Sequence, residues 1–250
     1  MKAFAKLKKI QKLKKLLLRG NTKNDNVLIL LERIKMLSIV FFYFLLLFVT
    51  GDAILSKGTK LSGLYYLFHF IHNIVISFLT FHNVLESFDM KLQAEGHLNE
   101  YVLPLIYSLH CYHMISYSNY FRTDDWMHHI LSMGIAVPLT LWLFPSRNLL
   151  GFSFFFTTGL PGGINYLNLF LYKNDLMTKR RQQRMNVFIN SWIRCPGIVM
   201  NCAFILQYLY NSNLSFYMRF YGLVTFAILF WNGVYFQNIV LKSFFSNLNK

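Results

Sequence analysis

The chain has 250 residues, of which 55% are hydrophobic and only 14% charged. That balance is too apolar for a surface facing water, which excludes an ordinary soluble domain and makes lipid the expected solvent. The formal net charge of +15 is gathered in a few places rather than spread along the chain.

In chain order, the first such place is the N-terminal arm. Between Lys2 and Lys23 stand nine Lys or Arg and no acid, interleaved with Leu, Ile and Phe. That pattern fits an amphipathic helix on anionic lipid headgroups. Nucleic-acid binding is the weaker reading of a basic run joined to a membrane domain. Met36 to Val49 is apolar but is followed by Thr50-Gly51-Asp52, so it suits a tilted, re-entrant or interfacial helix as well as a span.

Six longer stretches lack Asp, Glu, Lys and Arg: Leu61 to Leu85, Tyr101 to Phe121, Trp126 to Ser146, Asn148 to Tyr172, Cys195 to Met218 and Phe220 to Leu241. A helix needs about 20 residues to cross a hydrocarbon core of ~30 Å. The runs are apolar on every face rather than alternating, which excludes a β-barrel. The expected fold is all-α: a polytopic membrane helical bundle of six core transmembrane helices plus an N-terminal hydrophobic segment. The expected division is a basic arm at 1–35, a short hydrophobic segment and connector at 36–60, a membrane domain at 61–241 and a tail at 242–250. The three cysteines lie inside expected spans and imply neither a disulfide framework nor metal ligation.

Lys and Arg in connectors favour the cytoplasmic face. The connector after Tyr172 carries Lys173, Lys179, Arg180, Arg181 and Arg184. It shares a face with the basic arm only if Met36 to Val49 does not cross. An even number of crossings, with both termini cytoplasmic, is therefore expected.

Ionisable groups inside a bilayer are costly and are functional candidates for that reason. Seven of the eight histidines fall in or at the ends of expected spans: His69, His72, His82, His110, His113, His128 and His129. The i,i+3 pairs His69/His72 and His110/His113 each share a helix face. Any one of them is most simply a buried hydrogen-bonding group, but seven together point to a polar pocket holding a general base or nucleophile. No Asp or Glu lies inside an expected span from Tyr101 onward, so an imidazole, Ser or Asn must orient the working histidine. Arg194 lies within an apolar stretch without an acidic neighbour and is a candidate for holding phosphate or carboxylate, whereas Arg219 lies near a turn and is expected to snorkel. Thr157 to Gly163 contains Gly159, Pro161, Gly162 and Gly163, which predicts a break in its helix, with close helix packing as the commoner use of such glycines; either way the stretch faces the protein interior.

Asp124-Asp125-Trp126-Met127-His128-His129-Ile130-Leu131 resembles the His-His signature of the TLC-domain family, which includes the ceramide synthases and smaller proteins linked to lipid composition. The Pro161 to Asn165 region, followed by Asn186, Asn190 and Arg194, is similar to the smaller members. The resemblance covers Leu61 to Leu241. It implies a membrane cavity in which an acyl group passes from acyl-CoA to a lipid amine, with His128 and His129 at the reacting centre. The second, acidic motif of the synthases has no counterpart, since Gly159-Leu160-Pro161-Gly162-Gly163 stands in its place.

Two readings follow, an acyltransferase of lipid metabolism and a non-catalytic lipid-binding protein of the endoplasmic reticulum or another endomembrane. A di-metal desaturase is a third and weaker one, because HxxHH boxes are missing. The expected catalytic set is His128, His129, His110 and His113; the expected substrate-binding set is Arg194, Asn165, Arg180, Arg181 and Arg184. No metal or bound cofactor is expected, and acyl-CoA enters as co-substrate. Membrane lipids are the expected partners, nucleic acid is not, and a homo-oligomer is left open.

Overall fold

The computed structural model describes residues 31–32, 34–121, 123, 126, 129–144 and 146–248. The arm before residue 31 lies outside the described residues, as do Arg122, Asp124, Asp125 and His128. Among the described residues all regular secondary structure is helical. The helices are α1 (Ile34–Gly58), α2 (Leu64–Glu86), the short α3 (Met90–Glu95) and α4 (Val102–Tyr117). Next comes α5, a π-helical stretch His129–Ala136 continued by Val137–Leu143. The sixth, α6, runs through Arg147–Phe154, a π turn Phe155–Gly159 and Leu160–Lys173. The last two are α7 (Lys179–Asn211) and α8 (Phe216–Leu248).

Among the described residues four helices are long and apolar enough to cross a membrane: α1, α2, α7 and the Phe216–Ser246 part of α8. The six-span expectation is met only in part. The charge-free run around α4 yields a helix of 16 residues, short of the length a bilayer core asks for. The run around α6 is diluted by Gly, Thr, Asn and Pro. Helix α8 continues through most of the expected tail, to Leu248.

Polar ties at both ends of the bundle fix how the helices lie. At one end the left-handed Gly63 (φ 71°) turns the chain into α2, a conformation that favours glycine. Ser62 N donates to Asn174 Oδ1 at 2.9 Å and Asn174 Nδ2 returns a bond to Ser62 O at 2.9 Å, tying the start of α2 to the end of α6. At the other end Ser146 caps α6 by accepting from Leu149 N and donates to Gln93 O at 2.6 Å. There the buried amides of Asn83 and Asn148 lie 2.7 Å apart, so α2 and α6 run antiparallel. The cation of Arg147 donates to the last carbonyls of α5, Leu141 and Phe144, groups that a helix C-terminus leaves unpaired, and to Thr140 O, which also accepts from Phe144 N.

Helix α1 departs from expectation. It does not stop at Thr50-Gly51-Asp52, because each interruption is accommodated. Thr50 Oγ1 bonds back to Leu46 O at 2.7 Å, Gly51 lies against Phe68, and Asp52 accepts from Tyr117 Oη at 2.9 Å. Phe48 is buried among Phe68, Leu109 and Tyr112, and Phe44 reaches the cluster around Ile76 and Leu105. Helix α1 therefore runs antiparallel along α2 rather than across its end. Its first residues and the C-terminus of α8 lie at opposite ends of the bundle, whereas the charge count placed both termini on one face.

Candidate functional site

Five histidines from three helices meet inside this bundle. On α2, the i,i+3 spacing turns His69 and His72 to the interior, where they are 4% and 3% exposed. On α4 the same spacing buries His110 and His113, and α5 begins with the buried His129. The His69 and His113 rings stack at 4.0 Å between centroids; those of His110 and His113 lie 5.2 and 5.9 Å from His129. Together they line a cavity of about 230 Å³ closed by Tyr65, Tyr166 and Phe121. Two of the expected catalytic residues, His110 and His113, are thus brought to His129; His128 lies outside the described residues. His82 is not part of the cluster, since its Nε2 faces His97 O at 3.3 Å.

The backbone fixes how these rings present their nitrogens. His69 Nδ1 sits 2.6 Å from Tyr65 O and His110 Nδ1 2.7 Å from Ile106 O. A carbonyl only accepts, so in both rings Nδ1 carries the proton, and the neutral ring keeps a lone pair on Nε2. His72 Nδ1 lies 2.9 Å from Asn73 Oδ1, which selects the same tautomer for as long as the amide oxygen faces the ring. His113 Nε2 is buried and has no hydrogen-bond partner among the described residues, so it is open to a ligand. Among the described residues no three His, Cys, Asp or Glu side chains are arranged to hold a metal ion.

The wall opposite the histidines belongs to α6. The expected break there is a π turn, Phe155–Gly159, and not an unwound segment. Thr157 Oγ1 and Thr158 Oγ1 bond back to Ser153 O and Phe154 O, a habit that bends helices. Pro161 offers no N–H to Thr157 O, and Arg194 Nε of α7 approaches that carbonyl at 3.5 Å. The glycines serve close packing on α2: a Cβ at Gly159 would meet Ser77 Oγ at 3.0 Å and one at Gly162 would meet Asn73 Nδ2 at 2.9 Å. The π stretches of α5 and α6 bring His129 and Thr157 with Thr158 to this cavity, and a further one in α7, Asn190–Arg194, ends at Arg194 next to it. Such turns are frequent at functional sites.

Thr157, Thr158 and Ile106 also line a second, apolar cavity of about 270 Å³, which holds Arg194. The remaining expected binding residues lie elsewhere. Asn165 lines neither cavity, although its Oδ1 is buried without a hydrogen-bond partner among the described residues. Arg180, Arg181 and Arg184 are exposed on the first turns of α7, which Thr178 caps by accepting from Arg181 N. They stand at the bundle end where α2 begins and do not reach the histidines.

Several site residues were not singled out in the sequence. The rings of Tyr65 and Tyr166 each lie 4.1 Å from that of His69; the Tyr65/His69 i,i+4 spacing is a signal that identifies the first, whereas Tyr166 arrives by tertiary packing. A carboxylate is also near. Asp52 holds Tyr117, whose ring lies 5.2 Å from Tyr65, and Tyr65 lies 4.8 Å from His113. No protein-family model, curated protein or solved structure matches the chain.

Proposed function

We propose that this chain is an integral membrane protein of lipid metabolism, housed in the endoplasmic reticulum or another endomembrane, in which the five-histidine cavity is a site of acyl transfer. The observation that carries the proposal is the convergence of His69, His72, His110, His113 and His129 on one cavity that shares the wall of Thr157 and Thr158 with an apolar one. A polar reacting centre beside an apolar cavity suits a lipid substrate. The resemblance of Asp124 to Leu131 to the TLC signature supports the same reading and names the donor, a long-chain acyl-CoA thioester, and the acceptor, a lipid amine.

In this mechanism the amine nitrogen attacks the thioester carbonyl carbon while a histidine takes its proton. His129 and His113 are the residues assigned to this task, with His128 as the neighbour implied by the resemblance. The carbon–sulfur bond breaks, the amide forms, and the protonated imidazole returns the proton to the departing thiolate. An unprotonated ring nitrogen is the group such a step needs. His69 and His110, with Nδ1 committed to the backbone, hold the stack in register.

A second reading, a lipid-binding protein without chemistry, is favoured by one observation: the buried Nε2 atoms of His72 and His113 bond to no carboxylate among the described residues. The two separate in reconstituted vesicles given a radiolabelled acyl-CoA and a long-chain amine. Acyl transfer by wild type that is lost in His129→Ala supports the proposal; binding of the amine without any transfer overturns it in favour of the second reading.

A further inference from the structure

The apolar cavity beside the histidines holds a cation to which acyl transfer assigns no task. Its walls are apolar side chains from several helices, among them Val137, Phe154, Ile205 and Leu229. Into this wall α7 places the guanidinium of Arg194, facing Asn232 of α8. Nη2 donates to Asn232 Oδ1 at 2.8 Å, Nε makes the long approach to Thr157 O, and the Phe236 ring centroid lies 5.0 Å from the guanidinium carbon. Nη1 has no hydrogen-bond partner among the described residues, and no carboxylate there pairs with the group.

These contacts orient the planar fork without neutralising it. An amide oxygen, a distant carbonyl and an aromatic face supply partial charge only, whereas the guanidinium keeps its full charge in any protein setting. Cations at membrane depth pair with anions or line a polar path, and the walls of this cavity are apolar. A neutral aliphatic chain filling the space would leave the charge uncompensated. A carboxylate or phosphate matches the unused edge of the fork and forms charge-assisted hydrogen bonds to it. Asn232 Nδ2, which donates to nothing else among the described residues, offers one more donor beside it.

We infer that the apolar cavity binds a single-chain lipid with an anionic head, carboxylate or phosphate, whose oxygens sit on Arg194 and Asn232 while its chain lies along the apolar wall. Because Thr157 and Thr158 line both cavities, the head lies beside the histidines. The inference concerns binding and stands independently of acyl transfer.

The test uses full-length protein in neutral detergent and three radiolabelled probes of equal chain length: oleate, oleoyl lysophosphatidate and the uncharged monooleoylglycerol. Wild type binds at least one anionic probe tenfold or more tightly than the neutral one, and the tighter of the two identifies carboxylate or phosphate. Arg194→Gln removes that preference, Arg194→Lys keeps part of it, and His82→Ala, outside both cavities, leaves it intact. Thr225→Trp, which fills the cavity, lowers binding of all three probes, and it decides the matter if Arg194→Gln fails to fold. Equal affinity of wild type for charged and neutral probes, a preference that survives Arg194→Gln, or unaltered binding by Thr225→Trp overturns the inference. An anionic preference with no acyl transfer in vesicles would sink the proposed reaction and leave this site standing.

Discussion

Substituting Gly197 by alanine tests whether α6 and α7 pack as closely beside the site as the fold requires. Gly197 lies one turn beyond Arg194, and a Cβ there would fall within the ring of Phe156. That ring has little room to retreat, because Phe152 and Phe155 stand 4.8 and 4.9 Å from it. Forcing an extra methyl into such packing costs about 1–3 kcal/mol. Replacing a helical glycine returns roughly 0.5–1 kcal/mol. The comparison variant is Gly134→Ala on α5, where an added Cβ meets nothing within 4 Å, so only the favourable term remains. The difference between the two variants isolates the contact cost. At about 2–4 °C per kcal/mol for a chain of this size, Gly197→Ala melts roughly 2–12 °C below Gly134→Ala. A thiol-reactive dye that reports exposure of the buried Cys202 during heating in detergent follows the transition. Coincident melting curves, or a higher midpoint for Gly197→Ala, would refute the close approach of α7 to the π turn of α6.

Asp52 and Tyr117 should couple, since Asp52 accepts the tyrosine hydroxyl: a double-mutant cycle with Asp52→Ala and Tyr117→Phe is expected to give about 1–3 kcal/mol, and additive effects would mean α1 is not held at this point. The course of α1 along α2 predicts that tags at the two termini behave differently in sealed microsomes, with one digested by added protease and one protected; digestion of both would return α1 to an interfacial position. Arg180, Arg181 and Arg184 are expected to meet the anionic end of acyl-CoA at the bundle end, so changing all three to Gln should weaken its binding and flatten the salt dependence. Equal affinity with unchanged salt dependence would leave them as a topology signal alone.

The bundle and its histidines were legible because both rest on local rules. Charge-free runs mark helices, and i,i+3 spacing put His69 with His72 and His110 with His113 on shared faces before any packing was known. The extent of α1 was not legible, because the residues that interrupt its apolar run are reconciled by distant partners, Phe68 and Tyr117. The same holds for Arg180, Arg181 and Arg184, whose charge was plain while their distance from the cavity depended on where α7 begins. Gly159 to Gly163 left a broken helix and close helix packing both open; the close approach of α2 uses those glycines, and the helix continues through a π turn. Tyr166, Asn232 and the second cavity follow from tertiary packing, for which neither spacing nor composition holds a signal.

The most direct test of the five-histidine site compares the lipids of cells making wild type, His113→Ala, His129→Ala or His82→Ala at matched expression. His82 is a histidine of the same helical bundle that lies outside the cavity, so it controls for loss of an imidazole as such. Wild type and His82→Ala are expected to shift the same acylated lipid species, whereas His113→Ala and His129→Ala leave the profile at that of cells without the protein. Wild-type profiles from both cavity variants would contradict the proposed site.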